Sequence, residues 1–307
     1  MVPMIIETIR AGTLLSLALI SLPATAQLNV LACEPEWASL AKAIGGDQVR
    51  VESITTAFQD PHHIEARPSL ILKARHADVL FCTGAELEIG WLPRLLDKSA
   101  NADIQAGKPA HFLASEQVEL IEQAPDADRS QGDVHAAGNP HLHWDPRRLL
   151  SIAHAFASTL QQLDADNTSY YQQQLSAFDS QWRQNIERWE TATRPLQDAT
   201  VFVYHKNWSY LLDWLQIDTS GDLEPKPGIP PTSGHLSTLL SQAREETPQA
   251  ILVANYQDRK GADWLSGKSD VPVLELPFTV GGEEQAIDLP SLYDTVISKL
   301  LQTLPAQ

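Results

Sequence analysis

Three of the ten histidines in this chain stand out by context. His62 follows Asp60-Pro61, His141 follows Asn139-Pro140, and His205 closes the apolar run TVFVYH (200–205). Imidazole suits Zn2+, Cu2+ and Ni2+, whereas manganese sites want more carboxylate. Three imidazoles plus one carboxylate would make the four-coordinate tetrahedral set that zinc favours. Each ligand would need its second ring nitrogen held by a carboxylate or carbonyl. Spacing alone leaves a second reading open, in which each is an ordinary surface or satisfied core histidine. There is no H-E-x-x-H and no Cys/His ladder. G-x-G-x-x-G, a P-loop and G-x-S-x-G are also missing, which removes the signatures of dinucleotide, nucleotide and serine-hydrolase chemistry. His62 and Glu65 form an H-x-x-E spacing. A secreted zinc-dependent hydrolase with Glu65 as base is therefore the competing enzyme reading, set against Glu65 as a plain surface carboxylate.

These residues need elements to hold them. Short apolar runs alternate with helical patterns: LNVLA, then EWASLAKAIGG, then VRVESI (49–54), SLILKARHA, DVLFC (78–82) and LEIGWLPRLLDKSA. HFLAS and VELIE (118–122) read as further short strands. The polar segment 123–146 reads as a loop. A long helical stretch over 146–194 follows, as two helices meeting near 164–167. In the second, Tyr171, Leu175, Phe178, Trp182, Ile186 and Trp189 form one apolar stripe at helical spacing. The rhythm restarts with TVFVYH, SYLLDWLQI, a Pro/Gly loop (223–234), HLSTLLSQAREE, QAILVA, VPVLELPF and a last helix PSLYDTVISKLLQTL. Strand–helix alternation predicts an α/β fold of two lobes with parallel sheets, joined by a long rigid helix. The lobes span 27–164 and 195–307, and the strut spans 165–194. In open α/β sheets ligands bind beyond the carboxyl ends of strands. His62 and His205 fall at such ends, one per lobe, so facing lobes would bring the three imidazoles together.

Composition narrows the partners. The chain has 307 residues, 43% of them apolar, enough for a real core. Lys plus Arg number 22 against 39 Asp plus Glu, a net charge of −17. Nucleic acid and anionic membrane both demand a basic patch, so neither is an expected partner. The run AGTLLSLALISL (11–22) falls short of the roughly 20 residues that span a bilayer. Arg10 precedes it and Ala24-Thr25-Ala26 follows, as in a secretory signal peptide cleaved after Ala26. No cysteine lies at that point, so no lipid anchor is expected. Export would place Cys33 and Cys82 in an oxidising compartment. Each ends an apolar run, and the ends of two neighbouring parallel strands can be bridged. A disulfide there, favoured over two buried thiols, would close about 50 residues and stabilise by about 4 kcal/mol.

The segment DPHHIEARPSLILKARHADVLFCTGAELEIGWLPRLL (60–96) resembles the metal-binding solute receptors of bacterial ABC transporters, the ZnuA/TroA-like family. The family's first signature is present as Asp60-Pro61-His62, Pro68-Ser69, Ala77-Asp78, Gly84, Leu87-Glu88 and Trp91-Leu92. Its second, D-P-H-x-W-x-D-P, stands here as NPHLHWDP (139–146), with Asn139 for Asp and His143 for Trp. Its third, a strand-end histidine before an aromatic helix, stands as FVYHKNWSYLLDWL (202–215). C-E-P-E-W, N-P-H-x-H, P-G-I-P-P-T and P-F-T-V-G-G look most like the AztC type within the family.

The resemblance implies a soluble, monomeric periplasmic zinc receptor, not an enzyme, that captures one Zn2+ between its lobes and hands it to a membrane permease for import. A receptor for manganese or another divalent metal is the alternative within the family. The three family histidines map onto His62, His141 and His205. Asp288 is the expected fourth ligand, against a role as plain N-cap of the last helix. Glu283, Glu284 or a water are the other choices. His135 and His143 either receive zinc transiently during loading or are ordinary exposed loop imidazoles. His63 is expected to point away from the metal. A periplasmic zinc chaperone is a further partner that AztC-like systems imply. Mobility is expected in the 123–140 and 223–234 loops rather than in hinging of the lobes.

Overall fold

The computed structural model describes residues 27–126 and 132–304. The expected signal peptide, residues 1–26, lies outside them.

The first half builds β1 (Leu28–Ala32), α1 (Pro35–Gly45), β2 (Val49–Ser53), α2 (Pro68–Arg75), β3 (Val79–Cys82), α3 (Leu92–Ser99) and β4 (His111–Leu113). Two helices follow, α4 (Pro146–Leu163) and α5 (Thr168–Thr193). The second half builds β5 (Thr200–Val203), α6 (Ser209–Leu215), β6 (Asp218–Asp222), α7 (Ser233–Glu246), β7 (Ala250–Ala254), α8 (Lys260–Ser269), β8 (Val273–Leu276) and α9 (Leu289–Thr303). Each half forms a four-stranded parallel sheet, in the orders β2-β1-β3-β4 and β6-β5-β7-β8. The two sheets therefore share one winding. One inner strand of each, VLFC and AILVA, is buried at every position. Such unbroken apolar runs are what parallel strands covered on both faces require.

Cys33 follows β1 and Cys82 ends β3, and these strands are neighbours. The two cysteines form a disulfide with their Cα atoms 4.7 Å apart. It ties together the carboxyl ends of two neighbouring strands of the first sheet.

α5 has 26 residues, about 39 Å at 1.5 Å per residue. Its expected stripe is the packed face. Trp182 Nε1 donates to Pro146 O (2.8 Å) at the start of α4, and Trp189 Nε1 donates to Asp294 Oδ1 (2.6 Å) on α9. Trp189 also stacks on Tyr293 at 4.7 Å. One apolar core runs from β1 and β3 through Trp144, Trp182 and Trp189 into α9 and β5. Bending the strut would open that core and forfeit its close packing.

Three local expectations need correction. Residues 118–122 form no strand. Ile121 N donates to the Tyr210 hydroxyl and Ile121 O accepts from Asn139 N, so the backbone groups serve side chain and loop instead of a sheet edge. Residues 85–91 are not helical: Ala85 and Glu86 sit at φ 49° and 67°, and α3 begins only at Leu92, with Pro93 in its first turn. Proline there loses no helical hydrogen bond. Conversely, the polar segment DTSGD is strand β6 at a sheet edge, where half-exposed positions tolerate polar side chains. No helix of the described residues is long and apolar enough to cross a membrane.

Candidate metal centre

His62 lies in the loop after β2. Its backbone N–H donates to Asp60 Oδ1 (3.0 Å), and its ring Nδ1 lies 2.7 Å from the same oxygen. Trp91 Nε1 donates to Pro61 O (2.8 Å) and pins the turn from beneath. With Nδ1–H given to the carboxylate, the Nε2 lone pair is left facing inward. Burial acts against the Asp60 charge, but the bonds to His62 and the imidazole's charge prevail and hold its carboxyl down at about 2.

His205 follows β5 and is oriented the same way. Its Nδ1 is 2.7 Å from Glu224 Oε2, which also accepts from Gly228 N (2.7 Å). Burial lowers the His205 pKa, but Glu224 outweighs it and the net direction is up.

His141 is held through its backbone. Its N–H donates to Asn139 Oδ1 (2.9 Å). Asn139 Nδ2 donates to Lys206 O (2.7 Å) and to Glu122 Oε2 (2.8 Å). A carboxylate has no proton to donate to a carbonyl, so Asn139, where the family signature has Asp, ties the His141 loop to the residue after His205. Asp145 accepts from the N–H groups of Arg147 and Arg148 and so starts α4 four residues beyond His141.

Ligand atoms of His62, His141 and His205 all lie within 4.8 Å of one another, and all three residues are buried. His141 is 1% exposed, and neither of its ring nitrogens has a hydrogen-bond partner. Burial first, then the neighbouring imidazoles His62 and His205, drive its pKa well down. A fully buried, neutral imidazole has one ring lone pair and one N–H, and leaving such a polar group unpaired costs about 1–3 kcal/mol. A cation among the three nitrogens would take up the lone pair, so the residues fit a metal of the imidazole-preferring kind.

The other expected residues are placed elsewhere. Asp288 is exposed and is the N-cap of α9: its carboxylate accepts from Ser291 N (2.9 Å) in a reciprocal capping box. It does not join the imidazoles: the helix terminus holds its Oδ1 and the residue lies at the surface. Glu283 pairs with Lys299, and Glu284 is exposed. Glu65 is exposed, 3.5 Å from Arg67, and belongs to no cluster with His62 that could poise a hydrolytic base. His63 points out to solvent, 3.5 Å from Asp133. His143 is no loading residue on the loop surface: it is 2% exposed, with Nε2 3.1 Å from Phe278 O and Nδ1 3.3 Å from Glu36 Oε1. Burial pushes its pKa down despite Glu36. His135 does reach the centre, with Nε2 3.2 Å from His62 Nε2.

Sequence reasoning missed the two orienting carboxylates. Asp60 was in plain view, two residues before His62. Glu224 had no local signal, being 19 residues from His205 and just past the unforeseen strand β6.

Comparison with known proteins gives the family. The family model described as "ZnuA: Zinc-uptake complex component A periplasmic" matches residues 30–306. The chain belongs to this family of metal-binding ABC transporter receptors, which are substrate-binding proteins rather than enzymes and work with a membrane permease and an ATPase. The manganese ABC transporter substrate-binding lipoprotein PsaA of Streptococcus pneumoniae is 24% identical over 258 residues, 82% of this chain and 80% of that one. The iron ABC transporter substrate-binding lipoprotein MtsA of Streptococcus pyogenes serotype M1 is 23% identical over 265 residues, 82% and 80% of the two chains. A crystal structure of ZnuA has the same fold, with a TM-score of 0.74 at 21% identity over 91% of this chain and 100% of that one.

Proposed function

We propose that the protein is a periplasmic zinc receptor, exported by a signal peptide cleaved after Ala26, which holds one Zn2+ on His62, His141 and His205. It acts as a soluble monomer of two lobes, 27–164 and 195–307, around the strut 165–194, and passes its cargo to the permease for import. A periplasmic chaperone that loads the ion belongs to the same reading.

The observation that carries it is His141, buried with both ring nitrogens unpartnered, beside two imidazoles whose outer nitrogens are already held by Asp60 and Glu224. Nitrogen donors favour zinc over manganese, and among the described residues no carboxylate joins this group. The names of PsaA and MtsA, manganese and iron transporters, favour a second reading as a receptor for those metals. Manganese wants oxygen donors, which argues against transferring that cargo here, whereas imidazole suits iron as well as zinc.

The test is titration of the metal-stripped protein, with the leader removed, by Zn2+ and by Mn2+. One zinc per chain, bound far more tightly than manganese and lost in His205→Ala, is expected. At a thousandfold excess over Kd, zinc should raise stability by about 4 kcal/mol. Equal or tighter manganese binding would turn the assignment to the second reading. Binding of neither metal would overturn both.

A further inference from the structure

We infer that His135 supplies the fourth donor, so that the ion is held by four imidazoles. The inference rests on the reading of His62, His141 and His205 as ligands. In tetrahedral coordination with metal–nitrogen bonds of about 2.0–2.1 Å, two donor nitrogens stand about 3.3–3.4 Å apart. His135 Nε2 and His62 Nε2 are 3.2 Å apart. The His62 atom involved is the one that Asp60 leaves free by holding Nδ1. His135 also lines one cavity with His141 and His205.

The segment that carries His135 is anchored to both lobes. Asp133 N donates to Pro227 O (2.9 Å) of the second, and Ala136 N donates to Glu86 Oε2 (3.0 Å) of the first. Glycines permit this close approach. A Cβ on Gly132 (φ 98°) would lie 2.1 Å from Pro227 O, and one on Gly228 (φ 75°) would lie 2.2 Å from Asp133 Oδ2. Both backbones come closer than any side chain allows, and both adopt the left-handed conformation natural to glycine. Meanwhile the carboxylates expected at the fourth corner are engaged elsewhere: Asp288 caps α9 and Glu283 pairs with Lys299.

An all-nitrogen set also makes a selectivity claim. Replacing one imidazole by a carboxylate moves the site toward the oxygen-rich sets that manganese prefers. His135 is therefore the position at which cargo choice is set.

The experiment uses the full mature chain, stripped of metal, with Zn2+, Mn2+ and Co2+ as probes. His135→Ala should keep the melting temperature of the metal-free protein and one zinc per chain. Its zinc affinity should fall by more than the roughly 10–100-fold that loss of an outer hydrogen-bond partner causes, and added imidazole should restore part of it. The intense visible bands of tetrahedral Co2+ should weaken in the same variant. His135→Asp should raise manganese affinity relative to zinc. Unchanged zinc affinity and an unchanged Co2+ spectrum in His135→Ala would overturn the inference. If His141→Ala still abolishes binding in that case, the three-histidine reading stands without His135. If neither variant affects binding, both fall.

Discussion

Among the described residues two buried clusters have metal-like spacing, and they behave differently. One is His62, His141 and His205; the other is Cys33, Cys82 and Glu88. In the second, the sulfurs are consumed by the disulfide. The Glu88 carboxylate accepts from Thr83 N (2.7 Å) and Gly84 N (3.1 Å), closing the turn after β3. Neighbouring Glu34 is no ligand either, because burial, then the charges of Glu88 and Glu36, push its carboxyl well above the usual range. In the first cluster carboxylates hold only the outer nitrogens of His62 and His205, and His141 has no hydrogen-bond partner at either ring nitrogen. Proximity does not distinguish the clusters. What does is whether lone pairs remain after the protein has satisfied its own polar groups.

The comparison can be broken most directly by exchanging the clusters' fates. His141→Ala should abolish zinc binding at micromolar metal and with it the zinc-induced rise in melting temperature. Glu88→Gln should leave zinc affinity within about twofold, since it touches no lone pair facing the ion. Calorimetry on both variants checks this, and a zinc defect in Glu88→Gln would erase the distinction.

Removing the disulfide with Cys33→Ala and Cys82→Ala together should cost about 4 kcal/mol, because the bridge restrains a long loop in the unfolded chain. Denaturant unfolding reads that loss. The folded variant should still bind one zinc, and a lost site would mean that the second cluster governs the first.

The pH response should sharpen the contrast. Burial pushes the Glu88 carboxyl up to about 7. The native state therefore binds this proton more tightly than the unfolded chain does. Its contribution is present in full below the ordinary carboxylate range and is lost as pH rises toward 7, roughly 3 kcal/mol in all. Unfolding of the metal-free protein between pH 4 and pH 8, roughly the span in which both states titrate, should show that decline. Glu88→Gln should make it shallower, leaving the share of the likewise raised Glu34, and an unchanged slope would place the titration elsewhere.

The smallest expected effects lie behind the imidazoles. Asp60→Asn and Glu224→Gln should each weaken zinc by about 10–100-fold, the usual cost of freeing a ligand histidine. Competition with a chromophoric chelator measures both. Indifference in either variant would show that packing alone orients that ring.

The legible part of the site is local. Asp60-Pro61-His62 and Asn139-Pro140-His141 carry their meaning within three residues, and His205 is marked by the strand it ends. The two parallel sheets, the strut and the cysteine pair were legible for a related reason. Buried strands need unbroken apolar runs, and the α5 stripe repeats at helical spacing over about five turns. The illegible part is wherever a residue's role is set by a distant partner. His143, two residues from His141 in sequence, is committed to Glu36 in the first half and to Phe278 in the second. Asp288 had two roles open to it, and the terminus of α9 took it.

Thus the sequence by itself determined the architecture, the family and the three central imidazoles, because periodicity and short motifs are properties of neighbours along the chain. Only the tertiary structure decided that Glu224 steadies His205, that Asp288 stays with its helix, and that His135 comes to rest 3.2 Å from His62. The first and the last depend on segments 19 and 73 residues apart meeting at one point. Hydrogen bonds and coordination fall off within an ångström of their ideal lengths, so only the folded chain settles which polar atoms meet.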